Sequence, residues 1–227
     1  MRLIRCADSD GVAEHAAEMI EELIAAALRE RGRAHLALAG GTTPGGAYTR
    51  LRPPSWAGVE LWFGDERCVG PSDPQSNYLM VKETLLQHAE AALVHRIEGE
   101  RGAEAAASAY AELLIERAGG PLPVLDVALL GIGEDGHTAS LFPGAATLQA
   151  GAVVCVAVHD APKPPPDRVS LSLDVLALAR SSILLASGAG KADALARALG
   201  DPTTEVPASL LERERLVVIA DEAALGR

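Results

Sequence analysis

Short apolar runs alternate with segments of helical periodicity along almost the whole chain. The runs predict strands over 3–6, 34–39, 59–63, 93–97, 126–130, 153–158, 182–186 and 216–219. Apolar residues at helical spacing predict helices over 9–31, 76–88, 103–118 and 191–199. This alternation favours an α/β fold: a three-layer, Rossmann-like, mostly parallel sheet with helices on both faces. Because no linker or repeat interrupts the pattern, we expect a single domain over residues 1–227.

Composition narrows the classes of partner that this chain is suited to bind. Hydrophobic residues make up 48% of the chain but aromatic ones only 3%, so the predicted core is mostly Ala, Leu and Val. The 31 acidic and 20 basic side chains give a formal net charge of −11. Because nucleic acids and anionic membranes bind basic surfaces, we expect neither as a partner. A few local donors would still hold a small phosphorylated metabolite.

The cysteines and the N-terminus indicate a cytoplasmic protein. Cys6, Cys68 and Cys155 are widely spaced and match neither a disulfide framework nor a metal-binding pattern, so we expect reduced thiols. No pair of histidines stands at helical metal spacing, and we expect no metal site. The N-terminus has no apolar signal core, and no apolar run approaches the length of a membrane span.

The most informative loop follows the predicted strand 126–130. From Gly131 to Pro143 it runs Gly-Ile-Gly-Glu-Asp-Gly-His-Thr-Ala-Ser-Leu-Phe-Pro. Open α/β sheets place ligand sites at the carboxyl ends of their strands, where this loop holds Asp135 and His137. We interpret His137 as a general base and Asp135 as the residue that orients its ring or raises its basicity. The alternative is a histidine that only ties the loop together.

A glycine-rich turn over residues 40–46, Gly-Gly-Thr-Thr-Pro-Gly-Gly, ends the second predicted strand and opens a helix. Such a turn presents backbone N–H groups, and here the hydroxyls of Thr42 and Thr43, to an anion. It is not a Walker A loop, because no Gly-Lys-Ser/Thr follows. A tight turn without a ligand is the alternative.

Charged residues also follow other predicted strands or lie in stiff loops. After the third predicted strand, Asp65 is suited to accept a sugar hydroxyl or act as a base, and Arg67 to hold an oxyanion or phosphate. The proline-rich segment 161–168, predicted as an exposed loop, fixes Arg168 at little entropic cost. Lys191 follows two glycines at the start of a helix. For each residue, an ordinary exposed charge is the alternative.

Other enzyme classes have weaker support. The spacing Gly131-x-Gly133-x-x-Gly136 matches a dinucleotide-binding fingerprint, but Glu134 and Asp135 would then lie against the pyrophosphate. No Gly-x-Ser-x-Gly sequence occurs, which argues against a serine hydrolase.

Five segments taken together resemble the 6-phosphogluconolactonase family. They follow the family's order and span nearly the whole chain: Leu38–Pro44, Trp62–Arg67, Ser76–Tyr78, Gly131–Pro143 and Pro162–Arg168. Each is a weak signal alone, whereas the ordered set is specific. The resemblance implies a glucosamine-6-phosphate isomerase-like fold. It also implies hydrolysis of 6-phospho-D-glucono-1,5-lactone to 6-phospho-D-gluconate, the second step of the oxidative pentose phosphate pathway, without metal or cofactor.

With the resemblance, the candidate residues divide into two groups. The catalytic group is His137 as the base that takes a proton from water, Asp135 as its support and Arg67 as an oxyanion ligand. The substrate-binding group is Gly41, Thr42, Thr43, Arg168 and Lys191 for the 6-phosphate, and Asp65 for the sugar hydroxyls. We expect a monomer that binds a small sugar phosphate lactone.

Two other functions remain open at this point. A glucosamine-6-phosphate isomerase or deaminase would share the glycine turn and the Asp-Gly-His loop, but that family usually carries Asn-Glu shortly after the loop. Here no carboxylate follows His137 until Asp160, so the acid for ring opening is missing. A non-catalytic sugar-phosphate sensor is the second alternative, although the chain has no basic helix-turn-helix segment.

Overall fold

The computed structural model describes all 227 residues and contains two sheets. The strands of the larger sheet are β1 (Arg2–Cys6), β2 (Ala34–Leu38), β3 (Val59–Phe63), β5 (Leu93–Val94), β6 (Val127–Gly131), β9 (Ser181–Ala186) and β10 (Leu216–Asp221). They lie side by side in the order β1-β10-β9-β6-β2-β3-β5, and every neighbouring pair is parallel. The smaller, antiparallel sheet has the order β4-β8-β7, with β4 (Asp65–Arg67), β7 (Cys155–Val158) and β8 (Arg168–Leu171).

Six α-helices connect the strands. They are α1 (Ser9–Arg31), α2 (Thr42–Tyr48), α3 (Asn77–Thr84), α4 (Ala103–Ala118), α5 (Leu173–Leu178) and α6 (Ala192–Leu199). The longest, α1, begins where the Asp8 carboxylate accepts a hydrogen bond from the backbone N–H of Gly11, and ends at Gly32, whose φ of 71° suits glycine. No helix has the length and apolar character needed to cross a membrane.

The larger sheet is covered on both faces. Every residue of β2 and β3 is buried, as are the first four of β6, and side chains on a strand point alternately to opposite faces. Such continuous apolar strands are typical of parallel sheets covered on both sides. The core is one cluster of 58 buried residues, in which Trp62 and Phe63 of β3 are among the largest side chains. The predicted α/β fold is confirmed.

The strand order reverses between β2 and β6. After β2 the chain continues to β3 on one side, whereas after β6 the next strand of this sheet is β9, on the other side. The loops that leave β2 and β6 therefore diverge and open a crevice at the carboxyl ends of the two strands. Open α/β sheets bind ligands at such a switch point.

The smaller sheet is the main departure from the sequence prediction. Residues 65–67, which come after the third predicted strand, form strand β4 and pair with β8. Arg168 is the first residue of β8, although the sequence predicts it in an exposed loop. That expectation is wrong, because Arg168 is only 5% exposed and lies opposite Arg67. The pairing joins segments about a hundred residues apart, so no local pattern announces it. The predicted helix 76–88 also ends at Thr84, and the unpredicted helix α5 follows β8.

Candidate active site

Two adjoining cavities lie at this crevice, and we call them together the cleft. The first, of ≈ 200 Å³, is lined by Ala39, Gly40, Gly41, Asp65, Arg67, Asn77, Gly131, Ile132, Gly133, Glu134, His137, Ala139, Lys163, Arg168 and Lys191. The second, of ≈ 470 Å³, is lined by Arg67, Glu134, Asp135, His137, Phe142, Pro162, Lys163, Pro164 and Arg168. Seven of the nine predicted site residues thus line the cleft, whereas Thr42 and Thr43 do not.

His137 and Asp135 form a hydrogen-bonded pair in the loop after β6. The Nδ1 atom of His137 lies 2.6 Å from Oδ1 of Asp135, and the same oxygen accepts from the backbone N–H of His137 at 3.1 Å. The loop closes on itself, since the Gly133 N–H donates to the His137 carbonyl at 2.8 Å and the Thr138 hydroxyl donates to the Gly131 carbonyl at 2.9 Å. Hydrogen bonds therefore hold both the imidazole ring and the backbone of His137 in place.

The pair has the electrostatics of a base with its supporting carboxylate. Burial opposes ionisation of Asp135, but the charge of His137 and its hydrogen bonds outweigh this and lower the pKa of Asp135. The ionised Asp135 carboxylate accepts a hydrogen bond from Nδ1–H of His137, and in a neutral ring this tautomer leaves the lone pair on Nε2. Nε2 makes no hydrogen bond to protein, and the His137 side chain is 24% exposed where it lines both cavities. The arrangement can take a proton from a bound water.

The glycines of this loop provide the space that the pair occupies. A Cβ at Gly133 would lie 2.0 Å from Nδ1 of His137 and 2.5 Å from Oδ1 of Asp135. Gly136 adopts a φ of 92°, which disfavours other residues, and a Cβ there would lie 2.8 Å from a methyl carbon of Val206. Within the spacing that mimics a dinucleotide fingerprint, Gly133 is thus required by packing around the histidine, and Gly136 by its backbone conformation and its contact with Val206.

Four cations line the cleft without an acidic partner. They are Arg67, Lys163, Arg168 and Lys191, and none has a carboxylate oxygen within 4.0 Å of its charged nitrogens. Burial lowers the pKa of Arg168, and the nearby charge of Arg67 lowers it further, while Asp65 acts in the opposite direction. Concentrated positive charge in a chain of net charge −11 marks a site for an anionic ligand.

Backbone carbonyls hold the two arginines in place. Arg168 donates from Nε to the Pro165 carbonyl at 3.2 Å and from Nη2 to the Lys163 carbonyl at 2.7 Å. Arg67 donates from Nη1 to the Gln75 carbonyl at 2.5 Å, and its Nε is buried without a partner. Both guanidinium groups therefore keep donors for a ligand while their orientation is fixed.

Asp65 and Glu66 organise the neighbouring loops. Asp65 lines the cleft, but its carboxylate accepts from the Ser140 hydroxyl at 2.6 Å and from the Asn77 amide at 3.1 Å. The buried carboxylate of Glu66 accepts from three backbone N–H groups, including those of Asn77 and Tyr78 at the start of α3. These bonds anchor α3, and with it Asn77, against β4.

The glycine turn contributes its backbone to the cleft. Gly40 and Gly41 line the first cavity, and a Cβ at Gly40 would lie 2.0 Å from Oδ1 of Asn77. Thr42 is exposed and Thr43 is partly exposed, both outside the lining residues, so their contact with a phosphate stays a prediction.

Sequence reasoning missed five polar residues of this site, although each lies in a segment that carries the family resemblance. They are Asn77, Glu134 and Lys163, which line the cleft, Ser140, which binds Asp65, and Glu66, which anchors α3.

Comparison with known proteins identifies the family. A family model described as glucosamine-6-phosphate isomerases/6-phosphogluconolactonase matches residues 7–219. The chain belongs to this family. A protein named 6-phosphogluconolactonase from Mycobacterium tuberculosis is 37% identical over 238 residues, which covers 97% of this chain and 95% of that protein. The rat protein of the same name is 37% identical over 92% of this chain and 86% of its own length. The predicted family resemblance is thus confirmed.

Solved structures agree with this assignment. The 6-phosphogluconolactonase of Trypanosoma brucei superposes with a TM-score of 0.89 at 28% identity, covering 99% of this chain and 97% of that one. A monomeric glucosamine-6-phosphate deaminase superposes with a TM-score of 0.84 at 23% identity, covering 100% and 99%. The second likeness shows the shared fold alone.

Proposed function

We propose that this chain is a 6-phosphogluconolactonase. As a single α/β domain, it hydrolyses 6-phospho-D-glucono-1,5-lactone to 6-phospho-D-gluconate, the second step of the oxidative pentose phosphate pathway. The observation that carries the proposal is the placement of the His137–Asp135 pair and four unpaired cations around one cleft at the switch point of the sheet. The names of the relatives favour the same reaction.

In the proposed mechanism, His137 activates the attacking water. Nε2 takes a proton from water as the water oxygen bonds to the lactone carbonyl carbon, and Asp135 stabilises the resulting imidazolium through Nδ1. The bond to the ring oxygen then breaks, and the imidazolium returns the proton to that oxygen. The ring thus opens to a hydroxyl and a carboxylic acid, and the acid ionises at neutral pH and releases its proton to solvent. Both proton transfers of the ring opening pass through His137, so this route requires no metal ion.

Arg67 is the proposed ligand of the oxyanion that forms during attack. It lines both cavities beside His137, and its buried Nε has no partner in the protein. Preorganised donors of this kind stabilise the tetrahedral intermediate because they need no reorientation as the charge develops. Backbone N–H groups of the loop after β6 are further candidates.

The 6-phosphate would bind among the remaining cations. Arg168 and Lys191 line the first cavity together with Gly41, whose backbone N–H would donate to a phosphate oxygen. Thr42 and Thr43 would contribute only if the turn approaches the bound ligand. Asp65 would accept hydrogen bonds from sugar hydroxyls with the carboxylate lone pairs that Ser140 and Asn77 leave free.

The test is proton release from freshly prepared lactone, with spontaneous hydrolysis subtracted. Wild type should accelerate release, and His137→Ala should lower turnover by about two orders of magnitude or more. His15→Ala is the matched control, because His15 is exposed on α1 and lies outside the cleft. Near-normal turnover in a folded His137→Ala variant would remove His137 as the base. No release by wild type would reject the lactonase and direct assays to glucosamine 6-phosphate.

A further inference from the structure

Glu134 is the one carboxylate of the cleft that has no partner. Three carboxylates line the two cavities, and two are engaged: Asp65 with Ser140 and Asn77, and Asp135 with His137. Glu134 makes no hydrogen bond or ion pair through its side chain, although it lines both cavities together with the cations.

Glu134 lies in the part of the cleft that also holds the proposed base. It immediately precedes Asp135 in the loop after β6 and shares both cavities with His137, beside which the attacked carbonyl must lie. Its carboxylate also approaches the loop after β9, since a Cβ at Gly190 would lie 3.3 Å from its Oε1. The carboxylate of Glu134 thus shares the cleft with the base and lies close to the loop that carries Lys191.

The charge balance of the cleft gives this carboxylate a consequence. Four cations and three carboxylates leave one net positive charge when His137 is neutral. In the proposed function, on which this inference rests, the substrate carries only the phosphate charge, whereas the product carries the same phosphate and a new carboxylate. Any negative charge close to the carbonyl carbon therefore weakens product binding more than substrate binding.

We propose that Glu134 sets the preference of the cleft for the lactone over the acid that hydrolysis releases. Its carboxylate repels the carboxylate formed at the carbonyl carbon and so limits product inhibition. The role is electrostatic: Glu134 exchanges no proton with the substrate.

Glu134→Gln tests this, because it removes the charge and keeps the shape. Wild type and variant are compared for kcat and KM with the lactone, and for inhibition by 6-phosphogluconate and by glucose 6-phosphate, which has no carboxylate. We expect the variant to bind 6-phosphogluconate about three- to tenfold more tightly, with a smaller change for glucose 6-phosphate. Added salt should diminish the difference. Glu205→Gln, an exposed change outside the cleft, should alter none of these constants.

The outcomes separate this inference from the proposed function. Lactone hydrolysis by wild type, with equal 6-phosphogluconate inhibition of wild type and Glu134→Gln, would overturn the role of Glu134 alone. An equal gain in affinity for both inhibitors would also overturn it, because the charge would then act on the phosphate. A large fall in kcat would place Glu134 in the chemistry and reject a purely electrostatic role. Absence of hydrolysis by wild type would instead reject the proposed function, and calorimetric titration of the same two compounds would still measure the preference.

Discussion

Gly133 stands where the pair of His137 and Asp135 leaves no room for a side chain. A Cβ at this position would lie 2.0 Å from Nδ1 and 2.2 Å from Cε1 of the His137 ring, and 2.5 Å from Oδ1 of Asp135. The φ of Gly133 is not positive, so alanine fits the backbone. The substitution Gly133→Ala should therefore displace the side chains of His137 and Asp135 while the backbone of the loop keeps its conformation.

The size of the effect follows from the displacement that the methyl group demands. Ordinary contacts of a Cβ begin near 3.4 Å, so the ring must withdraw by more than about 1 Å. A catalytic group displaced by about 1 Å costs on the order of 10²-fold in rate. We therefore expect kcat of Gly133→Ala to fall about a hundredfold. Because the partly exposed side chains can move toward solvent, Tm should change by only about 4 °C.

The assay combines lactone turnover with thermal unfolding and the NMR signal of the His137 Nδ1 proton. That signal reports the hydrogen bond to Asp135 directly and should shift or vanish in the variant. Gly70→Ala is the matched control, because no atom lies within 4 Å of its Cβ position and its φ is not positive. A Gly133→Ala variant with wild-type kcat would refute the role assigned to the fixed pair, as would the same loss in Gly70→Ala.

Three further predictions concern the other charges. Asp135→Asn keeps the shape but favours the wrong ring tautomer, so kcat should fall about 10²- to 10⁴-fold with KM little changed in steady-state kinetics; a normal kcat would contradict this. Lys191→Met removes one unpaired cation and should raise KM for the lactone about tenfold, with kcat nearly constant; an unchanged KM would exclude Lys191 from the phosphate site. Hydrogen bonds to Asp167 and Glu104 raise the pKa of His159 in the folded protein. The contribution of His159 to the stability of the fold is therefore complete below about pH 6.5, the ordinary pKa of histidine, and is lost as the pH rises through the higher pKa of the folded state. Between about pH 6 and 9, Tm of wild type should fall more than that of His159→Gln, and parallel Tm profiles would argue against this contribution.

The strands of the larger sheet were largely predictable because each carries its own local pattern. Strand β3 has the predicted bounds, and α4 coincides with the predicted helix over 103–118. Edge strand β5 is shorter than the predicted strand 93–97, because only Leu93 and Val94 pair with β3. Apolar periodicity thus fixes which segments enter a buried sheet, whereas pairing with neighbours decides where each strand ends.

The chemistry of the His loop was also predictable, since all its parts lie within a few residues. Gly133, Asp135 and His137 follow β6 directly, so their proximity depends on local geometry. The family resemblance was predictable as well, because it rests on short motifs and their order, which are read directly from the sequence.

The sequence by itself determined the α/β alternation, the loop that holds His137 and Asp135, and the family. Only the tertiary structure decided that Arg168 is buried in β8 opposite Arg67, and that Lys163 and Glu134 share a cleft with Lys191. The physical reason is distance along the chain. Arg67 and Arg168 belong to β4 and β8, whereas Glu134, Lys163 and Lys191 lie in loops after β6, β7 and β9. Neither the convergence of these charges nor the lack of ionic partners can be seen until the strands have paired.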